Sequence, residues 1–60
     1  IMYLVEYEDQ YGNVTRYSSL YPDLEYATAV AERLWNLRHD YPRISVIEDK
    51  TERVICDYEH

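Results

Sequence analysis

The stretch that decides the fold is DLEYATAVAERLWNLRH, residues 23–39. Its apolar residues recur at spacings of three and four, which is typical of the buried stripe of an amphipathic helix. The stripe consists of Leu24, Ala27, Ala31, Leu34 and either Trp35 or Arg38, with Val30 and Leu37 widening it. A stripe of this width can pack on a β-sheet, so we expect one helix that covers one sheet face.

Capping and stop signals mark the ends of this helix. Asp23 can accept hydrogen bonds at the N-cap, and Glu25 in the first turn is favourable at the positive end of the helix dipole. Pro42 ends the pattern because the residue before a proline avoids the helical region. We therefore predict a helix that begins after Asp23 and ends near His39.

Two segments rich in β-formers precede the helix and two follow it. Ile1–Glu8 and Val14–Ser19 are predicted strands, and the loop between them holds the only glycine, Gly12, where a positive φ is expected. Arg43–Asp49 and Arg53–Tyr58 form a second predicted hairpin. The predicted fold class is therefore α+β, a ββαββ arrangement with a four-stranded, mainly antiparallel sheet and one helix packed on one face.

Length and composition limit the kinds of partner. Residues 1–60 make a single domain, and so small a core favours self-association as a further source of stability. Twelve acidic and six basic side chains give a net charge of −6, which disfavours direct nucleic-acid binding. No apolar run reaches the roughly 20 residues that span a membrane. The lone cysteine, Cys56, fits a reducing compartment, so a cytoplasmic location is expected.

Residues that carry catalysis or bind metals are sparse. His39, His60 and Cys56 lack the short paired spacings of zinc ligands. One glycine cannot form a phosphate-binding loop, and no recognisable base accompanies the serines. We therefore expect no enzymatic activity, no cofactor and no metal.

One sheet face remains uncovered in the predicted fold. Residues alternate between the two faces of a strand. This alternation assigns four apolar residues to the uncovered face: Met2, Leu4, Ile47 and Ile55. Isolated exposed aliphatic residues are common on protein surfaces, whereas a patch of them indicates an interface. Among the interface hypotheses, we rank first a homodimer that stacks two uncovered faces.

Acidic residues and tyrosines are further candidates for partner contact. If the strand order is 2-1-3-4, five carboxylates collect at one end of the sheet: Glu6, Glu8, Asp9, Asp57 and Glu59. Such a group would compete with nucleic acid for the binding surface of a target protein. The chain also has eight tyrosines, and those that lie in loops or off the helix stripe suit partner contacts. These are Tyr11, Tyr21, Tyr26 and Tyr41.

Two functional hypotheses follow from these patterns. The first is a small acidic, non-enzymatic protein-binding module that occupies a surface of a larger protein. In size and charge the chain is similar to small phage-encoded inhibitors, including anti-CRISPR proteins. This likeness is one of protein class and not of descent. The alternative is a structural or accessory subunit, or a domain whose uncovered face packs against the rest of a longer protein. Because Ile1 is not an initiator residue, we expect a methionine or a longer segment before it.

Overall fold

A computed structural model describes all 60 residues and contains four strands and one helix. The elements are β1 (Tyr3–Glu8), β2 (Val14–Arg16), α1 (Leu24–Leu37), β3 (Arg43–Glu48) and β4 (Val54–Glu59). The strands form one antiparallel sheet in the order β2-β1-β3-β4, and α1 packs against β1, β3 and β4. The predicted ββαββ fold is confirmed, and the strand order is the one on which the acidic grouping depended.

Local signals fix both ends of α1. Asp23 has extended backbone angles (φ −107°, ψ 119°), and its carboxylate accepts a hydrogen bond from the Glu25 N–H at 3.0 Å. Arg38 leaves the helical region (φ −120°, ψ 87°) while its N–H still donates to the Leu34 carbonyl. The helix therefore ends before His39, slightly earlier than predicted.

β2 is shorter than predicted and continues as an irregular edge. The Tyr17 N–H donates to the Val5 carbonyl at 2.8 Å, but the Val5 N–H donates to the Ser18 hydroxyl at 3.0 Å instead of to backbone. Pairing resumes where Tyr3 and Tyr21 exchange two hydrogen bonds of 2.8 and 2.7 Å. We refer to Tyr17–Tyr21 as the edge segment, because it borders β1 without forming a regular strand.

The core lies between α1 and the central strands β1 and β3. Its six buried residues are Val5, Ala27, Ala31, Leu34, Ile44 and Val46. The small side chains of Ala27 and Ala31 allow α1 to approach the sheet closely. Leu37 was expected to widen the helix stripe, and this expectation is wrong, since Leu37 is 67% exposed. Three residues beyond Leu34, it lies about 300° further around the helix, which is about 60° short of a full turn, and it points past the sheet.

A β-bulge changes the alternation of β4. Val46 pairs with Cys56 and Ile47 pairs with Val54, which leaves Ile55 as the extra residue. Both Ile55 and Cys56 pack against the core cluster. The assignment of Ile55 to the uncovered face is therefore wrong, because strict alternation does not hold across a bulge. Val54 occupies that face instead and is exposed.

Polar and aromatic contacts hold α1 on its β4 side. The Tyr58 hydroxyl donates to the Glu32 carboxylate at 3.2 Å, and burial together with this carboxylate raises the pKa of Tyr58 to about 12. The Trp35 ring stacks on the His60 ring with centroids 4.7 Å apart. The indole N–H of Trp35 is buried without a hydrogen-bond partner. One hydrogen bond and one ring stack thus secure this side of the helix.

Shortening Leu34 is expected to be costly. Leu34→Ala should lower the free energy of unfolding by about 2 to 5 kcal/mol, because it leaves a cavity between α1 and the sheet. Leu37→Ala is the matched control, and as a change to an exposed leucine on the same helix it should cost about 0.5 kcal/mol or less. Urea unfolding followed by circular dichroism measures both. Equal losses for the two variants would contradict the proposed orientation of α1.

Substitutions at Gly12 test the backbone conformation of the turn between β1 and β2. Its φ is +84°, and no atom lies within 4 Å of the position that a Cβ would occupy. Gly12→Ala should therefore cost about 1 kcal/mol through backbone conformation alone. Gly12→Asn should cost less, because asparagine tolerates positive φ. Thermal unfolding of both variants measures this difference, and an alanine variant as stable as the parent would exclude backbone strain at this position.

Candidate functional site

The open face, the side of the sheet away from α1, carries most of the candidate residues. Because Val5 and Val46 point to the helix, their strand neighbours point the other way. The cross-strand register then arranges the open face in three rows, each running from β2 or β1 towards β4. The rows are Leu4, Ile47 and Val54; Arg16, Glu6, Ser45 and Asp57; and Val14, Glu8, Arg43 and Glu59.

Four carboxylates share one end of the open face, which we call the acidic end. They belong to Glu6, Glu8, Asp57 and Glu59, in the second and third rows. Within each row one β3 residue separates the two acids, so their Cα atoms lie about 10 Å apart. The register thus brings together four of the five acids that the sequence grouped, and Asp9 follows in the adjoining turn.

Arg43 neutralises one of these carboxylates. Its guanidinium donates two hydrogen bonds to Asp57, with Nε–Oδ1 3.1 Å and Nη2–Oδ2 2.6 Å, and the Ser45 hydroxyl donates to the same Oδ1. The hydrogen bonds from Arg43, and then that from Ser45, hold the pKa of Asp57 below its ordinary value. Asp57 in turn raises the pKa of Arg43. The pair is therefore charged and fixed in orientation.

The other carboxylates of the acidic end make no ion pair. The only two salt bridges of the chain are Arg43–Asp57 and Arg38–Asp40. A shallow cavity of about 170 Å³ lies beside the unpaired groups. It is lined by Glu6, Tyr7, Glu8, Val14, Arg43, Ser45, Ile47 and Val54. Chemically, this arrangement suits a cationic side chain whose alkyl stem packs on Val14, Ile47 and Val54.

Asp9 and Tyr11 lie at the turn next to the acidic end. The Asp9 carboxylate accepts hydrogen bonds from the backbone N–H groups of Asn13 at 2.9 Å and Tyr11 at 2.8 Å. These bonds, that from Asn13 first, lower the pKa of Asp9. Asp9 therefore stabilises its own turn, whereas the Tyr11 side chain is almost fully exposed and free to contact a partner.

The apolar candidates differ in how much surface they offer. Leu4 and Ile47 form a cross-strand pair on the open face, yet they are only 3% and 8% exposed. Met2 and Val54, near the end of the sheet away from the acidic end, are both exposed and offer more apolar surface. A partner that covers this face would therefore gain little contact area from Leu4 or Ile47.

Sequence reasoning missed Arg43, Ser45 and Val54 as parts of this surface. The i, i+2 spacing of Arg43 and Ser45 indicates that they share a face, but only the β3–β4 register shows that they meet Asp57. Val54 enters the open face through the bulge. The pattern of residue types along β4 does not indicate that a bulge moves Val54 to this face.

The structure also bears on the metal and membrane expectations. His39 and His60 lie together with ring centroids 4.9 Å apart. No group of three or more histidine, cysteine, aspartate or glutamate side chains is placed to hold a metal ion. The single helix, α1, is too short and too polar to cross a membrane.

Comparison with known proteins does not add to this description. No protein-family model matches the chain, and searches of curated proteins and of solved structures find no significant match. The function is therefore inferred from the geometry and charge of the molecular surface.

Acid should remove the stabilisation that Asp57 provides. Folding favours the ionised Asp57, so its contribution is present above about pH 4 and is lost as the pH falls through the lowered pKa. Asp57→Asn should lower the urea midpoint at neutral pH, and its difference from the parent should disappear in strong acid. Asp49→Asn is the control, because the Asp49 carboxylate makes no hydrogen bond. A difference that persists unchanged in acid would contradict the role of the Arg43–Asp57 pair.

Proposed function

We propose that this chain is a small acidic, non-enzymatic protein-binding module that docks its acidic end on a basic surface of a larger protein. The observation that carries the proposal is the cross-strand register, which sets three unpaired carboxylates around a fixed ion pair. The carboxylates belong to Glu6, Glu8 and Glu59, and the pair is Arg43 with Asp57. Such an arrangement supplies both attraction and orientation.

Unpaired carboxylates at fixed spacing favour a basic partner in two ways. The net charge of −6 steers a positively charged surface towards the module. At contact, Glu6 and Glu8 favour a lysine or arginine in the cavity, whereas the Arg43 guanidinium, the cross-strand neighbour of Glu8, disfavours a second cation next to it. A mixed pattern of this kind discriminates between partners better than a uniformly acidic surface does.

Basic surfaces that bind nucleic acid are the class of target that fits best. They present several lysine and arginine side chains that bind phosphates, and the acidic end offers carboxylates in two rows on a rigid sheet. Occupying such a surface would make the module an inhibitor that acts as a nucleic-acid decoy, in the manner of small phage-encoded inhibitors. We place this activity in the cytoplasm, supported by the single free thiol, Cys56.

The accessory-subunit alternative uses the other end of the open face. Met2 and Val54 are exposed there beside the buried pair of Leu4 and Ile47, so a neighbouring subunit could extend the apolar layer. A homodimer that stacks two open faces would use the same residues. It would also bring two acidic ends into one interface, where like charges oppose association. We therefore favour a basic heterologous partner for this face.

An oligoarginine peptide provides a defined basic probe. The parent chain should bind it in low salt, and the triple variant Glu6→Gln, Glu8→Gln, Glu59→Gln should bind roughly fivefold more weakly. The control is Glu25→Gln, Asp49→Asn, Glu52→Gln, which removes the same three charges from side chains that make no hydrogen bond. Calorimetry measures the affinities, and amide chemical shifts map the contact.

The two triple variants distinguish binding at the acidic end from a general effect of net charge. Weaker binding by the acidic-end variant alone would support the proposal. Equal losses in both variants would mean that the probe senses total charge only, and the acidic end would then not be a binding surface. Shifts centred on Met2 and Val54 would place the probe at the other end of the open face and would contradict the proposal.

A further inference from the structure

A second surface lies on the helix side of the molecule, between α1 and the edge segment. It is a groove of about 340 Å³ lined by Tyr17, Tyr21, Val30, Arg33, Leu34 and Leu37, and we call it the tyrosine groove. Five of these six residues are apolar or aromatic. On the opposite side of α1 the space is filled by Tyr58, Trp35 and His60. The groove therefore lies on the side of the helix that the fold leaves open.

The walls of the tyrosine groove are held in place. Tyr17 is bonded to β1 through its N–H, and its ring meets the Tyr7 ring edge-on at 6.5 Å. Tyr7 in turn stacks on Tyr41 at 4.0 Å. Tyr21 is fixed by its two backbone bonds to Tyr3. A ligand would therefore enter a formed groove, with little ordering cost.

Three large apolar or aromatic side chains around the groove are exposed. Leu37 is 67% exposed, Tyr26 58% and Tyr17 51%, and all three lie on the same side of α1 as the groove. Tyr26 contacts Tyr21, with ring centroids 4.9 Å apart, so the patch is continuous. Tyrosine and arginine are both enriched among the energetically important residues of protein interfaces.

Arg33 gives the groove a charge that has no partner in the chain. Arg38 and Arg43 are engaged by Asp40 and Asp57, whereas Arg33 makes no ion pair or side-chain hydrogen bond. Its helix neighbours three and four residues away are all uncharged: Ala29, Val30, Asn36 and Leu37. In a chain of net charge −6, a lone guanidinium bordering an apolar groove is complementary to an apolar ligand that carries a carboxylate.

We propose that the tyrosine groove binds an acidic amphipathic segment of another protein, which places an aromatic or leucine side chain in the groove and a carboxylate on Arg33. A second copy of this chain fits less well. If two copies packed α1 against α1 in antiparallel fashion, with Tyr26 opposite Leu37, each Arg33 would lie beside that of the other copy. The groove is independent of the acidic end, so each surface can bind without the other.

Three small probes of the same shape test this proposal on the full chain. They are 3-phenylpropionate, 3-phenylpropan-1-ol and 3-phenylpropylamine, which carry a negative, a neutral and a positive group beside one phenyl ring. Titration followed by amide chemical shifts should show saturable changes at Tyr17, Tyr21, Arg33 and Leu37. The carboxylate should bind most tightly and the amine most weakly.

Two variants assign the binding to the groove. Arg33→Gln should weaken binding of the carboxylate about threefold to fivefold and leave the alcohol unchanged, while Arg53→Gln, at the β3–β4 turn, should change neither. Leu37→Gln should weaken all three probes without unfolding the chain, because it removes apolar contact area without adding a charge and Leu37 is exposed.

Several outcomes would overturn the proposal. These are the absence of saturable shifts in the groove, equal affinities for the three probes, and a carboxylate preference that survives Arg33→Gln. Sedimentation equilibrium tests the other possible occupant, a second copy of this chain. A dimer that Leu37→Glu dissociates would identify that copy as the ligand of the groove and would overturn the proposal. A monomer that binds the three probes in the expected order would support the proposal.

Discussion

The close packing of Ala27 and Ala31 on β1 and β3 is the contact on which the rest of the structure depends. Both alanines are fully buried, and they set α1 directly over the central strand pair, where Val5 and Val46 meet. Only six residues form this core, and a core of that size tolerates little loss of packing. The partly buried rings around it, from Tyr3 to Tyr58, extend the apolar layer and reach solvent at their polar ends.

This arrangement leaves the molecule with two surfaces of opposite character. The sheet side presents acids in register around Arg43, and the helix side presents an apolar groove with an unpaired Arg33 at its border. Both surfaces lie next to the short strand β2. The β1 residues that pair with β2 include Glu6 and Glu8. The edge segment, which continues β2 irregularly, forms one wall of the tyrosine groove. A regular strand through Ser19 would have changed the position of that wall.

Local patterns were sufficient to predict α1, its Asp23 cap, the four strands and the Gly12 turn. The acidic grouping also followed once a strand order was assumed, because antiparallel register then places Glu6 and Asp57 in one row. What could not be predicted depends on contacts distant in sequence. The bulge at Ile55 breaks the alternation of β4, Leu4 and Ile47 are buried by their neighbours, and the tyrosine groove depends on the Ser18 and Tyr21 bonds to β1.

The hairpin–helix–hairpin order has a consequence for how the chain acquires its structure. Each hairpin closes locally, but β1 and β3 join only when residues about 40 positions apart, such as Val5 and Val46, come together. An isolated two-stranded hairpin is at best marginally stable in water, and neither half of this chain contains a complete core. We therefore expect the central strand pair and the helix to form together in one cooperative step, whose entropic cost includes the closure of that long loop.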